Sequence, residues 1–271
     1  MSYKIIILDL DDTLLLNNGK ISEGNKKALK LVQEIGIKVV LASGRPTFAM
    51  RNIADELELN KYGGYIISYN GSRIVDCKTN EVIYEVDLTK KQVEELYRLA
   101  LKYETFIHTY NGDEILTCHD NPYTYIESEI TGMKISMCEN FVESLPDKCV
   151  KVIMLQAPNH LKEVEEMLKP QIKDKMTMNI TKPFFLEFMN KETDKSKSII
   201  RLCEKLNINI EDTIAIGDSY NDISMVKTAG LGVAMGNGVE EIKNVANYIT
   251  DTNENDGVAK VIDKYILNDN I

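Results

Sequence analysis

The chain lacks several features that would place it in a special class of protein. No apolar run approaches the ~18 residues that a membrane-spanning helix needs, so we expect no membrane association. No block of lysine and arginine stands out, and 32 Lys and Arg against 42 Asp and Glu give the 271-residue chain a net charge of −10. This balance argues against a nucleic-acid partner. The opening MSYKIIILDLDD is too short and too acidic for a signal peptide, which favours a cytoplasmic protein.

Cysteine and histidine are also scarce. The five cysteines (Cys77, Cys118, Cys138, Cys149 and Cys203) form no C-x-x-C motif, and their number is odd. This pattern predicts free thiols in a reducing compartment. The three histidines are scattered without the spacing of metal ligands, which argues against a zinc site. A hydrophobic content of 44% is ordinary for a folded domain and argues against disorder.

The hydrophobic pattern at the beginning of the chain is typical of alternating strands and helices. Three short apolar runs, at 5–8, 37–41 and 65–68, predict buried parallel strands, and amphipathic helical patterns lie between them. The same alternation resumes near Thr193, with a helix over 195–206 and a strand over 213–216. This order predicts an α/β fold with a doubly wound, Rossmann-like parallel sheet.

The middle of the chain has a different character. Asn111-Gly112 between two alternating segments is a strong hairpin signal, and a helix is predicted over 89–103. Short strands mixed with helices predict an α+β module inserted into the first domain. We therefore expect a core formed by residues 1–78 and 188–271, with an inserted domain at 79–187.

Polar residues follow the predicted strands or begin the predicted helices at four separate places. Parallel strands end at one edge of an open sheet, and ligands bind there, so these segments are expected to converge. They are Asp9 with Asp11, Ser43 with Gly44, Lys195, and Asp218 with Asp222. Carboxylates, a hydroxyl and an ammonium at one place suggest a phosphoryl-transfer site that uses a divalent cation.

The first pair of carboxylates has the arrangement that phosphate-monoester hydrolysis requires. A carboxylate can attack phosphorus and divide the reaction into two steps through an aspartyl-phosphate, and Asp9 lies at a strand end. Side chains two residues apart on a strand share a face, so Asp11 can serve as general acid and then as general base. The alternative is that both residues belong to a polar turn, where aspartate is common.

The second pair points to a metal ion. Clustered carboxylates repel one another, and a divalent cation relieves that repulsion. Oxygen ligands without His or Cys favour Mg²⁺, bound by Asp218 and Asp222 together with Asp9 and Asp11. The alternatives are a loop aspartate for Asp218 and, for Asp222, a helix first-turn aspartate favoured by the helix dipole.

The remaining two segments supply groups that can hold a phosphate. Ser43 and the amides near Gly44 precede a helix, whose N-terminus attracts anions, although Ser43 taken alone fits a simple N-cap better. Lys195 could neutralise phosphoryl charge. Because Lys191 and Lys197 lie close by, the sequence does not distinguish among the three lysines.

Together these segments resemble the motifs of the haloacid dehalogenase-like hydrolases, and within them the Cof-type phosphatases with a C2B cap. The resemblance implies that Asp9 is the nucleophile, that Asp11 is the acid/base, and that Mg²⁺ is held by both with Asp218 and Asp222. It further implies a cap that selects the substrate. It assigns phosphate binding to the Leu10 amide, Ser43, Gly44, Lys195 and Asn221, and it marks Arg45 and Asn70 as candidate contacts to substrate or cap. Asn70-Gly71, Met235-Gly236-Asn237 and Asp256-Gly257-Val258-Ala259 also match stretches of that subfamily.

The expected function is therefore Mg²⁺-dependent hydrolysis of small phosphorylated metabolites, such as sugar phosphates, through an aspartyl-phosphate. Two alternatives remain open: a sugar phosphomutase, and a non-catalytic protein that binds phosphorylated metabolites. A dehalogenase is disfavoured because those relatives lack the second aspartate, which is present here as Asp11. Neither the substrate nor the oligomeric state can be read from the residues.

Overall fold

A computed structural model describes residues 3–267, and the chain divides into two compact units. The first unit comprises the chain up to Tyr84 and from Asp194 onward, and the second comprises Glu85–Thr193. The second unit is thus an insertion between two parts of the first.

The described residues form fourteen strands and ten α-helices. The strands are β1 Ile5–Leu8, β2 Lys38–Ala42, β3 Tyr65–Ser68, β4 Arg73–Asp76, β5 Val82–Glu85, β6 Phe106–Asn111, β7 Glu114–Thr117, β8 Lys134–Met137, β9 Lys151–Leu155, β10 Met176–Lys182, β11 Phe185–Asn190, β12 Thr213–Gly217, β13 Leu231–Ala234 and β14 Tyr248–Ile249. The helices are α1 Glu23–Glu34, α2 Thr47–Glu56, α3 Leu59–Tyr62, α4 Lys90–Lys102, α5 Pro122–Thr131, α6 Pro158–Ile172, α7 Lys195–Leu206, α8 Ile223–Thr228, α9 Glu240–Lys243 and α10 Gly257–Ile262.

The first unit is built on an eight-stranded sheet in the order β14-β13-β12-β1-β2-β3-β4-β5. The six strands from β14 to β3 run parallel to one another, whereas β4 is antiparallel to β3. The order reverses beside β1, with β2 on one side and β12 on the other. Such a reversal is the switch point at which open α/β sheets bind ligands.

Alternation along β1 separates two hydrophobic cores. Ile6 and Leu8 pack on one face of the sheet with apolar residues of α1, α2 and α10. Ile5 and Ile7 pack on the opposite face with residues of α7, α8 and α9. Since successive side chains of a strand point to opposite faces, a continuous apolar run is what a strand covered on both faces requires. The predicted doubly wound α/β fold is therefore confirmed.

The second unit has its own six-stranded sheet in the order β10-β11-β9-β6-β7-β8. Its neighbouring strands are antiparallel except for the parallel pair β7 and β8. Helices α4 and α6 cover one face, where Val93, Leu161 and Phe188 belong to one buried cluster. This unit therefore has an independent core, as expected for an inserted α+β module.

Several boundaries differ from those predicted by the sequence. Both junctions between the units lie a few residues later than 78/79 and 187/188, because β5 adds to the edge of the first sheet and β11 belongs to the second. The segment between β2 and β3 forms two helices rather than one, because α2 ends at Glu56 and Glu58 adopts a left-handed φ of 54°. Helix α5 and strand β8 were not predicted.

The cysteines also differ in part from the prediction. Cys118 and Cys138 form a disulfide at the adjacent ends of β7 and β8, so the prediction of free thiols is wrong for this pair. Cys77, Cys149 and Cys203 are free and buried. Within residues 3–267, no helix is long and apolar enough to cross a membrane.

Because Phe188 packs in the core of the second unit, we expect its truncation to lower the stability of that unit. Phe188 is fully buried, and Phe188→Ala is expected to lower the free energy of unfolding by about 3–5 kcal/mol, since it leaves a cavity. Urea denaturation followed by circular dichroism measures this change. Leu101→Ala, at a side chain that is 56% exposed on α4, is the control. Equal effects of the two substitutions would contradict the assigned core.

Candidate active site

The strand order brings the polar segments predicted by the sequence to one edge of the first sheet. Asp9 follows β1, and Asp218 follows β12, which pairs with β1 through Leu8 and Ile216. Ser43 follows β2 on the other side of β1, and Asn70 follows β3. The four residues therefore stand at the carboxyl ends of four consecutive strands, as the parallel arrangement requires.

Three carboxylates and one ammonium form the centre of this site. Asp9, Asp218 and Asp222 each offer an oxygen, and these oxygens lie within 4.8 Å of one another. The Lys195 Nζ atom lies 2.6 Å from Asp9 Oδ1 and 2.5 Å from Asp222 Oδ1. Lys195 is only 1% exposed, so its charge is balanced by these carboxylates rather than by water.

Local structure explains why this lysine, and not its neighbours, reaches the site. Helix α7 begins at Lys195, and the Asp194 side chain accepts hydrogen bonds from the Ser196 and Lys197 amides at the helix start. Ser198 Oγ donates to the Gly71 carbonyl oxygen at 2.6 Å, which ties the first turn of α7 to the loop after β3. Lys195 is thereby directed inward from a capped and anchored helix end.

Asp222 contacts both Lys195 and the loop that carries Asp218. Its Oδ1 accepts from Lys195, and its Oδ2 accepts from the amides of Asp218 and Ser219 at 3.2 and 3.1 Å. Close approach is possible because residue 217 is glycine: an added Cβ there would lie 2.7 Å from Asp222 Cγ. Gly217 thus allows the carboxylate to sit beneath the loop that carries Asp218.

The cluster contains three carboxylates and one ammonium, and the pKa values of several of these groups are shifted. Burial, reinforced by the charge of Asp222, raises the pKa of Asp9 well above its usual range, and Lys195 opposes this only in part. Burial and Asp222 likewise raise the pKa of Asp218 to about 7, although the hydroxyl of Thr13 donates to it at 2.8 Å. Burial lowers the pKa of Lys195, but Asp222 and Asp9 outweigh it and raise that pKa above its usual value.

These observations fit a hard divalent cation. The donors are all oxygens, which suits Mg²⁺ better than a softer metal. Burial, reinforced by the charge of Asp222, raises the pKa values of Asp9 and Asp218, and a bound cation would favour the ionised carboxylates. The first unit therefore contains an acidic cluster whose donor atoms suit such a cation.

Asp11 lies apart from the three-carboxylate cluster. Its side chain is 59% exposed and forms a two-pronged ion pair with Arg45, in which Arg45 Nε donates to Oδ2 at 2.9 Å and the Nη2 group donates to Oδ1. The next residue, Asp12, has a left-handed φ of 59°. The carboxylate of Asp11 is thus accessible, in contrast to the buried carboxylate of Asp9.

The other predicted residues line the same edge. Ser43 is buried, and its Oγ accepts from the Arg45 amide at 3.2 Å, so its hydroxyl does not cap α2, which begins at Thr47. Asn221 is exposed, and its Nδ2 donates to Asn70 Oδ1 at 3.1 Å. The side chain of Leu10 lies in the hydrophobic core, which leaves only its backbone amide for ligand binding.

Sequence reasoning assigned no role to two residues that contact the site. Thr13 donates to Asp218, as described above. Asn237 Nδ2 donates to the Asp12 carbonyl oxygen at 2.7 Å. The motif Met235-Gly236-Asn237 is visible in the sequence, but hydrogen bonds across more than two hundred residues leave no signal in a single sequence.

His108 and Tyr110 of the second unit are interior residues. His108 is fully buried, its Nδ1 lies 3.1 Å from Thr124 Oγ1, and burial with the Lys151 charge lowers its pKa to about 3. Tyr110 donates to Glu127. Tyr125, by contrast, is 54% exposed. The buried pair therefore contributes to the packing of the second unit.

Comparisons with known proteins agree with this geometry. A family model described as haloacid dehalogenase-like hydrolase matches residues 6–262. The chain is 31% identical over 267 residues to the 5-amino-6-(5-phospho-D-ribitylamino)uracil phosphatase YcsE of Bacillus subtilis, covering 98% of this chain and 97% of that protein.

Solved structures of known proteins also resemble this chain. A haloacid dehalogenase-like hydrolase from Bacteroides thetaiotaomicron superposes with a TM-score of 0.92 at 40% identity, covering 97% of this chain and 99% of that one. The subclass IIB sugar phosphatase BT4131 superposes with a TM-score of 0.80 at 25% identity, covering 97% and 98%. Both the core and the inserted unit are therefore shared with these proteins.

The raised pKa of Asp218 predicts a pH-dependent cost in the metal-free protein. The unfolded chain loses this proton near about pH 4, whereas the folded protein holds it up to about 7. Stability should therefore fall as the pH rises through this window. In chelator, Asp218→Asn is expected to raise the melting temperature more at about pH 8 than at about pH 5.

Differential scanning fluorimetry measures this difference, with Asp263→Asn, at an exposed aspartate, as the control. A gain from Asp218→Asn that is the same at both pH values would contradict the raised pKa.

Proposed function

The chain belongs to the haloacid dehalogenase-like hydrolases of the Cof type and is a phosphoric monoester hydrolase, and we propose that it is a Mg²⁺-dependent phosphatase of small phosphorylated metabolites that works through an aspartyl-phosphate on Asp9. The observation that carries the proposal is the buried cluster of Asp9, Asp218 and Asp222 around Lys195. This cluster has the groups needed to attack, hold and neutralise a phosphoryl group.

Asp9 is assigned as the nucleophile. One of its oxygens is held by Lys195 at 2.6 Å, which fixes the carboxylate and leaves its other oxygen to attack phosphorus. The P–O bond to the leaving group then breaks as the bond from Asp9 to phosphorus forms. Holding the reacting atoms in one geometry lowers the entropic part of the barrier.

Asp11 is assigned as the general acid and base. Once protonated, the accessible Asp11 side chain donates that proton to the departing alkoxide, and the resulting carboxylate then takes a proton from the water that cleaves the aspartyl-phosphate. Inorganic phosphate leaves and Asp9 is regenerated. The ion pair with Arg45 holds the Asp11 side chain near the edge of the sheet, where Arg45 is also a candidate contact for substrate.

A cation at Asp9, Asp218 and the Asp11 backbone oxygen, when bound, would neutralise phosphoryl charge and favour the ionised form of Asp9. Asp222 supports this arrangement rather than exposing a free oxygen, because both of its oxygens already accept hydrogen bonds. The phosphate oxygens are assigned to Lys195, Ser43, Asn221 and the amides of Leu10 and Gly44.

The substrate class is inferred from the relatives. One is named as a phosphatase of a phosphorylated ribitylamino-uracil, and another as a sugar phosphatase. We therefore assign a small, phosphorylated sugar or a similar metabolite to this chain. We also assign the unit Glu85–Thr193 as the cap domain that selects among such substrates.

Phosphate release from a panel of sugar phosphates, nucleotides and phosphorylated cofactors tests the proposal. Turnover is expected with Mg²⁺ and is expected to disappear in chelator and in Asp9→Asn, because the nucleophile or its counter-charge is lost. Asp11→Asn should reduce kcat by roughly 10²–10⁴-fold, the usual contribution of general acid–base catalysis. Asp263→Asn, an exposed aspartate, should behave like the parent.

Other outcomes decide against the proposal. Full activity of Asp9→Asn would exclude the aspartyl-phosphate. Isomerised sugar phosphate without free phosphate would indicate a mutase, and binding without turnover from folded protein would indicate a non-catalytic role.

In Asp11→Asn, mass spectrometry is expected to find a phosphoryl group on the peptide that contains Asp9, because hydrolysis of the intermediate is slowed.

A further inference from the structure

Asn237 lies just after β13 and hydrogen-bonds to two distant parts of the first unit. Its Nδ2 donates to the Asp12 carbonyl oxygen at 2.7 Å, and its Oδ1 accepts from the Asn253 amide at 3.0 Å. Asp12 directly follows Asp11 and has a left-handed backbone, a conformation that non-glycine residues adopt at a cost. The bond from Asn237 therefore supports a strained position within the loop that carries Asp9 and Asp11.

The same short segment also binds the loop that carries Asp218. The Met235 amide donates to the Gly217 carbonyl oxygen at 2.9 Å, and the Val239 amide donates to the Asp218 carbonyl oxygen at 2.9 Å. The main chain of residues 235–239 thus holds one acid-bearing loop, while the side chain of Asn237 holds the other. Asn237 therefore connects the two loops through this segment, in addition to the direct bond from Thr13 to Asp218.

Asn253 extends this bridge along the first loop. Its Nδ2 donates to the Leu15 carbonyl oxygen at 3.0 Å and approaches Asn17 Oδ1 at 3.4 Å. Asn253 is 3% exposed, so its hydrogen bonds are shielded from water. These hydrogen bonds of the buried Asn253 hold the backbone, because breaking them would leave buried polar groups unsatisfied.

We propose that Asn237 is a positioning residue, which sets the separation between the loop of Asp9 and Asp11 and the loop of Asp218, so that the acidic site is assembled before substrate binds. The proposal rests on the proposed function, in which both loops serve one phosphoryl group and one cation. Displacing such loops changes catalytic geometry, and shifts of this kind are costly to rate.

Asn237→Ala, compared with Asn255→Ala, tests the proposal. Asn255 is an exposed asparagine whose side chain donates to Thr252 Oγ1 at 2.9 Å. We expect Asn237→Ala to lower kcat roughly 10–100-fold, with a much smaller change in KM, and to weaken Mg²⁺ binding by a similar factor, as for other residues that orient metal ligands. Asn255→Ala should match the parent.

Steady-state kinetics and calorimetric titration with MgCl₂ measure these quantities at a temperature where each variant is fully folded. A purely structural role would lower the melting temperature and leave kcat and Mg²⁺ affinity at parent values, and that result would overturn the proposal. If Asn237→Ala does not fold, Asn237→Asp is used, since it retains the acceptor for the Asn253 amide and loses the donor to Asp12. Parent kinetics in Asn237→Asp would likewise overturn it.

Hydrogen exchange separates this proposal from the proposed function. If the bridge holds the first loop, amides of residues 10–16 should exchange faster in Asn237→Ala than in Asn255→Ala, whether or not the parent hydrolyses any substrate tested. Unchanged exchange would overturn the positioning role. A parent that is inactive on the whole panel, with faster exchange in Asn237→Ala, would refute the phosphatase assignment and leave the positioning role standing.

Discussion

Lys195 carries a buried positive charge between the carboxylates of Asp9 and Asp222, at 2.6 and 2.5 Å, and the first unit is arranged around that ion pair. Removing one partner of a buried pair typically costs about 3–5 kcal/mol, because the other charge is left uncompensated. The capped start of α7, the glycine at 217 and the loop after β12 all serve to bring these groups together. The third carboxylate, Asp218, exceeds what one ammonium can balance, and burial together with the charge of Asp222 raises its pKa to about 7.

The imbalance between three carboxylates and one ammonium affects both the stability of the first unit and its function. A site that held its carboxylates fully neutralised by lysines would be more stable but would have no use for a cation or a phosphoryl group. Here the deficit of positive charge is confined to the edge of the sheet, where the strand order reverses on either side of β1 and where open α/β sheets bind ligands. The two hydrophobic cores on the faces of that sheet stabilise the fold. Their stability offsets the cost of keeping the three carboxylates close together.

Much of the fold could be predicted because its signals are local. The apolar runs and the hairpin at Asn111-Gly112 correspond to observed strands, and the alternation of strands and helices predicted the parallel sheet. Helix α5 was missed because its apolar periodicity is weak and its ends are defined by Asn121 and Gly132 rather than by a clear stripe. The Cys118–Cys138 pair was missed because their approach depends on the pairing of β7 with β8.

The sequence by itself determined the chemical inventory: which carboxylates, hydroxyl and ammonium follow buried strands or begin helices, and hence that oxygen ligands and a phosphoryl group suit this chain. Only the tertiary structure decided which of three neighbouring lysines is buried, that Arg45 pairs with Asp11, and that Asn237 reaches Asp12. The physical reason is the distance along the chain over which each signal acts. Strand and helix signals arise from neighbours along the chain, whereas these contacts join side chains from separate segments, and only the packing of those segments brings them within hydrogen-bonding distance.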